Sequence, residues 1–202
     1  MVKDGKLIIA FEGNHGVGKT TQCMMLCDYL EKRGFVCKYI KFPMAGIQEE
    51  LLSEISKRCE SQALYSKFEI SILLYETIKE VFELLNGDCA NEILIFDRYK
   101  YSGRIFLRDE GVESNLLESL LSWLPSPDIL LYLDLDVETI IERIDMRGIK
   151  NRKFDSRENI EFLSTIFLPE LENAEGKYYK IDSINDVKQV HKEIVDVVNS
   201  LL

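Results

Sequence analysis

The sequence predicts one α/β domain over residues 1–202, a three-layer fold with a central parallel sheet of about five strands flanked by helices. Two observations predict it. Short apolar runs rich in β-formers alternate with longer segments of helical period, a pattern that suits parallel strands covered on both faces. No repeat, linker or break in composition divides the 202 residues, a length that suits one domain with a substantial core.

Residues 7–11, Leu-Ile-Ile-Ala-Phe, read as a buried first strand followed by a helix over about 18–33. Gly34 ends that helix because glycine tolerates the positive φ that helix ends favour. The second strand is 35–42, stopped by Pro43. Helical stretches follow near 47–59 and 67–85, closed by the turn pair Asn86-Gly87. The third strand is 93–96 and the fourth 129–135, with helices over about 101–108, 114–123 and 137–147. Residues 148–155 lack a period and are rich in positive charge; they read as a mobile loop, the middle of a basic lid over about 147–157. A helix over 157–174, a short strand over 178–181 and a closing helix complete the chain. In the last helix Ile184, Val187, Val190, Ile194, Val197 and Leu201 form an apolar stripe at steps of three and four.

Twenty-five basic against 35 acidic residues give a net charge of −10. Such a surface repels a nucleic acid polymer and anionic lipid, so neither polymer nor membrane is an expected partner. Any phosphate must be met by a locally cationic site. The apolar runs are too short to span a bilayer, and the N-terminal stretch lacks a small-residue cleavage site, so no signal peptide is expected. The five cysteines contain no Cys-x-x-Cys pair, and Cys23 and Cys27 are spaced as two buried helix positions. They read as small apolar fillers in a reducing, cytoplasmic setting. With two histidines, a zinc site is not expected.

The most informative segment is Gly13-Asn14-His15-Gly16-Val17-Gly18-Lys19-Thr20, which satisfies G-x-x-x-x-G-K-[ST] between a strand and a helix. Glycines let several backbone N–H groups turn inward around an anion, and the following helix dipole adds to the attraction. Lys19 would reach the β- and γ-phosphates of a nucleoside triphosphate, and the Thr20 hydroxyl would ligate Mg²⁺. Asp97 follows an apolar strand, so its carboxylate would emerge at a C-terminal strand end beside that loop, where it can organise metal. It could equally cap the next helix, and the two roles are compatible. Arg98 beside it can hold a phosphate.

Together these residues resemble the thymidylate kinase family of P-loop nucleoside monophosphate kinases. The resemblance rests on Phe11-Glu12-Gly13 through Gln22, on Asp97-Arg98-Tyr99 with Ser102-Gly103, on Leu124-Pro125-Ser126-Pro127-Asp128 before the fourth strand, and on Phe42-Pro43. It implies transfer of the ATP γ-phosphate to a pyrimidine deoxynucleotide, dTMP first, with Mg²⁺ and as a homodimer. Lys19, Thr20 and the loop from Gly13 through Thr21 would serve ATP, with Arg143 on the adenine. Asp97 would organise metal and acceptor, and Arg98 would bridge phosphates. The acceptor side would include His15, Phe42, Tyr75, Lys79, Ser102, Phe106 and Phe154. Plain alternatives stay open: Tyr75 and Phe106 as core, Lys79 as a solvated helix residue, and Arg143 paired with Glu138 or Glu142.

The family places a catalytic arginine in the phosphate loop or in the lid. The loop position here is Gly16, so the resemblance implies lid arginines, with Arg147 and Arg152 foremost in a cluster that also holds Lys150, Lys153 and Arg157. Four departures touch the acceptor. Ala45 stands where the family has a phosphate-holding Arg, His15 where it has an acid, Lys79 where an Arg reads thymine, and Glu170 near an expected Tyr. A kinase for another nucleotide, a deoxynucleoside kinase, or an ATP-binding paralogue with weakened catalysis are therefore the alternatives. A deoxynucleoside kinase needs a carboxylate near the end of the second strand to take a hydroxyl proton, and 42–46 offers none.

Overall fold

A computed structural model describes residues 6–42, 62–87, 92–109, 114–147, 155–172 and 178–202. Along the chain run β1 (Leu7–Glu12), α1 (Lys19–Lys32), β2 (Val36–Lys41), α2 (Gln62–Asn86), β3 (Glu92–Asp97) and α3 (Lys100–Asp109). They continue with α4 (Ser114–Ser122), β4 (Ile129–Asp134), α5 (Val137–Met146), α6 (Arg157–Glu172), β5 (Tyr178–Asp182) and α7 (Val187–Asn199). The five strands pair in the order β2-β3-β1-β4-β5, and every pair is parallel. The helix expected over 47–59 and most of the basic loop lie outside the described residues. Helix α2 starts at Gln62 rather than at 67, because Gln-Ala-Leu continues a helix-forming run with no glycine or proline to stop it.

The sheet separates two cores, as the period of two along a strand requires. Ile8 and Ala10 of β1, Leu94 and Phe96 of β3, and Leu130 and Tyr132 of β4 face α2, α3, α4 and most of α6. Their neighbours Ile9 and Phe11, Ile93 and Ile95, and Ile129 and Leu131 face α1, α5 and α7. Each large apolar side chain taken fully out of water stabilises the fold by about 1.5–3 kcal/mol. The stripe expected in the closing helix forms only at its centre: Val190 and Ile194 are buried in α7 together with Val198, while Ile184, Val187 and Leu201, at or beyond the helix ends, stay exposed and Val197 is half-buried. Cys23 and Cys27 are buried on α1, as their spacing predicts; Cys59 and Cys89 lie outside the described residues.

Helix α2 buries Leu74, Ile78 and Val81, and this leaves Tyr75 on its open side, 53% exposed. Core packing of Tyr75 is therefore not what forms. At the sheet's N-terminal edge Lys6 and Glu92 make a buried ion pair of 3.0 Å, far from the loop that follows β1. The opposite, C-terminal edge is where open α/β sheets bind ligands.

Candidate active site

The segment between β1 and α1 is a turn only glycine fits. Gly13 has φ +140°, and a Cβ there would lie 2.4 Å from the Leu133 carbonyl oxygen on β4. Gly18 caps α1 at φ 99°, with no side-chain hydrogen bond and no acid in the first turn. The first N–H groups of α1 are thereby left for an anion. Asn14 anchors the loop from below: its Nδ2 donates to the Ile160 carbonyl at 2.9 Å and to Ser164 Oγ at 3.1 Å, both on α6. Its Oδ1 accepts the His15 N–H at 2.8 Å. Lys19 is buried, and its Nζ donates to the carbonyls of Gly13 at 3.1 Å and Asn14 at 2.5 Å. Burial, with the Arg98 charge second, lowers its pKa to about 7.

Across the loop, Asp97 ends β3. Thr20 Oγ1 donates to Asp97 Oδ2, and Tyr39 donates its hydroxyl to the same oxygen at 3.2 Å. A hydroxyl and a carboxylate brought together beside a triphosphate loop are the hard oxygen donors Mg²⁺ selects, so these two residues fit that metal. Lys41 pairs in register with Asp97 and lines the same cleft.

Arg98 has φ 72°, the left-handed region that costs a non-glycine residue of order 1–2 kcal/mol. Its own N–H donates to Phe11 at 2.9 Å, which holds the turn. Nη1 donates to the Gly13 carbonyl and to Ser102 Oγ, each at 3.0 Å, and the guanidinium lies 4.8 Å over the Phe106 ring. Both protons of Nη1 are thus spent on the protein. Nη2 and Nε have no partner among the described residues, and that edge is the fork a phosphate would take in bidentate fashion. Burial lowers the Arg98 pKa, and the Glu12 and Asp97 carboxylates oppose it.

Two clefts open above the strand ends. The first, about 300 Å³, brings together His15, Lys19, Thr20, Asp97, Arg98 and Arg147. The second, about 210 Å³, lies between Gly18, Arg143, Met146, Asn185 and Val187. Gly16, Gly18, Thr21 and Arg147 line both, so the clefts are joined. The first is charged and the second partly apolar, which suits a triphosphate and its base in turn. Arg143 donates to the Ser183 carbonyl at 2.8 Å, and this bond holds it across the second cleft rather than on Glu138 or Glu142.

Other expected site residues fall outside those walls. Phe42 is buried against Tyr99, ring centroids 5.8 Å apart, beneath Gly103. Phe106 is partly buried, with His15 edge-on at 5.6 Å. Ser102 is buried with its hydroxyl committed to Arg98 and Glu12. Tyr75 and Lys79 stand on the open face of α2, where Lys79 lies within ion-pair distance of Glu76 and Glu83. Arg152 and Phe154 lie outside the described residues, as does Ala45. Arg157 is held by Glu138 at 2.6 Å and does not line the first cleft. Glu170 meets Arg104, which also grips Glu118 at 2.9 Å and so ties α3 to α4 and α6.

The family model for thymidylate kinase matches residues 11–194, from the last apolar residue before the phosphate loop to the middle of α7. The chain belongs to the thymidylate kinase family. Members of this family are ATP-dependent nucleoside monophosphate kinases, and phosphoryl transfer to dTMP is what the family does. The chain is 31% identical over 194 residues to a probable thymidylate kinase of Methanococcus aeolicus, covering 93% of each chain. A probable thymidylate kinase of Methanosphaera stadtmanae is 33% identical over 197 residues, 93% of this chain and 95% of that one. Among solved structures, the thymidylate kinase of Candida albicans superposes with a TM-score of 0.66 at 22% identity, over 96% of this chain and 92% of that one, which shows the shared fold.

Sequence reasoning on this kinase family member assigned no role to Lys41, Tyr39 or Glu12. Lys41 and Tyr39 reach the site through the register of β2 on β3, which no local pattern displays. Glu12 carried a local signal, since a carboxylate ending an otherwise apolar strand requires a partner.

Proposed function

We propose that this chain transfers the γ-phosphate of ATP to dTMP, giving ADP and dTDP. What carries the reading is the joined pair of clefts, one lined by the Lys19 ammonium, α1's open N-terminus and the free edge of Arg98, the other by Arg143 and an apolar wall. An ionised oxygen of the acceptor's monophosphate attacks the γ-phosphorus, the bond to the β,γ-bridging oxygen breaks, and ADP leaves. No base is needed, because a phosphate monoester is largely ionised at neutral pH. The residues' task is positioning and charge stabilisation.

Lys19 leaves the loop carbonyls to bridge β- and γ-phosphates, while Arg98 presents Nη2 and Nε to the transferring group. Thr20 and Asp97 would hold Mg²⁺, which supplies charge neutralisation between the β- and γ-phosphates. Arg147 stands where both clefts meet, and Arg152 follows it in the lid; we assign both to closure over the phosphates. Phe154, Tyr75, Lys79, Phe106 and Phe42 are assigned to the acceptor side with His15, while Ser102, whose hydroxyl is committed to Arg98 and Glu12, is not. A homodimer is part of this reading, supported by Phe82 exposed on α2. The free thiols of Cys23, Cys27 and Cys37 support a reducing, cytoplasmic setting.

Phosphorus NMR on ATP, Mg²⁺ and dTMP tests the reaction directly. Growth of the two dTDP resonances with wild type, and none with Lys19→Ala, is expected. ATP consumed without dTDP would overturn the reading.

A further inference from the structure

Glu12 ends β1 with no exposed surface, an uncommon place for a carboxylate. Three hydrogen bonds hold it, and both of its oxygens accept. Oε1 accepts the N–H groups of Tyr99 and Ser102, each at 3.0 Å, and Oε2 accepts the Ser102 hydroxyl. With both oxygens taken and no exposure, the carboxylate meets no substrate.

The direction of these bonds is what matters. Ser102 has one hydroxyl proton, and it goes to Glu12. Its oxygen can therefore only accept, and it accepts from Arg98 Nη1 at 3.0 Å. Nη1 has its second proton on Gly13, so the orientation of the whole guanidinium plane follows from these two contacts. The turn it sits on is strained, at φ 72°, and Glu12 binds the N–H of Tyr99, the next residue. A chain of fixed polarity thus runs from Glu12 through Ser102 to Arg98.

We propose that Glu12 is a positioning residue that, through Ser102, holds the Nη2–Nε edge of Arg98 towards the transferring phosphate. This rests on the role assigned to Arg98 under the proposed function and adds the residues that set its geometry. It reassigns Ser102 from the acceptor pocket to the support of Arg98. A negative charge at Glu12 also compensates the buried guanidinium.

Glu12→Gln separates positioning from folding. An amide oxygen can still accept both N–H groups, but its NH₂ then faces Ser102 Oγ, which is left between two donors with its own proton displaced. Ser102→Ala removes the middle of the chain and leaves both N–H bonds to Glu12. Each variant is expected to lower kcat by about 10²-fold, the scale of a small misplacement of a catalytic group, with ATP KM changed by less than about twofold. In an Arg98→Ala background, Glu12→Gln and Ser102→Ala are each expected to cost almost nothing further. Multiplicative losses in the double variants overturn the proposal, as does wild-type kcat in Glu12→Gln or Ser102→Ala while Arg98→Ala is impaired. Wild-type kcat in Arg98→Ala instead overturns the role of Arg98 itself. If Glu12→Gln fails to fold, Ser102→Ala and its double variant decide alone.

Discussion

Thr20 Oγ1 donates its proton to Asp97 Oδ2, joining the start of α1 to the end of β3 across 77 residues of chain. The contact draws the two oxygen groups assigned to Mg²⁺ together, and Tyr39 holds the same carboxylate oxygen from β2. Asp97→Asn keeps a similar shape but removes the charge that attracts the metal. The Mg²⁺ concentration for half-maximal turnover is expected to rise about tenfold or more, on the scale of losing a group that orients a metal site. An unchanged Mg²⁺ profile would remove Asp97 from the metal site.

Lys19 should take up a proton when triphosphate binds. In the free protein burial depresses its pKa to about 7, so it is largely neutral at pH 8. Phosphate oxygens replacing the carbonyls of Gly13 and Asn14 favour the ammonium and lift that pKa. Titration calorimetry with ATP, in two buffers of different ionisation enthalpy, is expected to show net proton uptake at pH 8 that shrinks towards pH 6. Lys19→Met should abolish it; equal uptake in that variant would contradict the assignment.

Gly13→Ala is expected to damage the fold before it damages chemistry. The added Cβ meets the Leu133 carbonyl oxygen at 2.4 Å, a backbone atom that cannot swing away, and the residue sits at φ +140°. Strain of at least about 1–3 kcal/mol would lower Tm by several degrees for a chain of this size. Thermal unfolding without ligand measures it, and an unchanged Tm would show that β1 and β4 are not so closely apposed.

Arg147 and Arg152 are expected to act on turnover more than on binding. Arg147→Ala and Arg152→Ala should each cut kcat by about 10²–10³-fold, the usual scale for removing one donor from a developing charge, with ATP still bound. Loss of ATP affinity alone would make them binding residues.

How much of this was legible in the sequence depends on the range of each interaction. The phosphate loop, the strands and the parallel sheet follow from local patterns, and Gly13 to Thr20 fold as their types require. Asp97 and Arg98 were readable because a polar pair ends an apolar strand. Lys41 was not, because its place beside Asp97 comes from pairing of β2 with β3. Nor was the commitment of Ser102 and Glu170, whose partners Glu12 and Arg104 lie 90 and 66 residues away. Tyr75 sits in an apolar helical run that suggests burial, yet the helix turns Leu74 and Ile78 inward instead. Ala45, Arg152 and Phe154 lie outside the described residues, and the first of these bears most on the acceptor.

The choice of acceptor is the central claim, and one assay reaches it most directly. Coupled ADP release is measured with ATP and Mg²⁺ against dTMP, dUMP, dCMP, UMP, dGMP and thymidine, beside Lys19→Ala. The account predicts fast turnover with dTMP that is lost in Lys19→Ala, with Ala45 and His15 as tolerated departures. Turnover with another acceptor but not with dTMP, or ATP binding with no turnover at all, would contradict it.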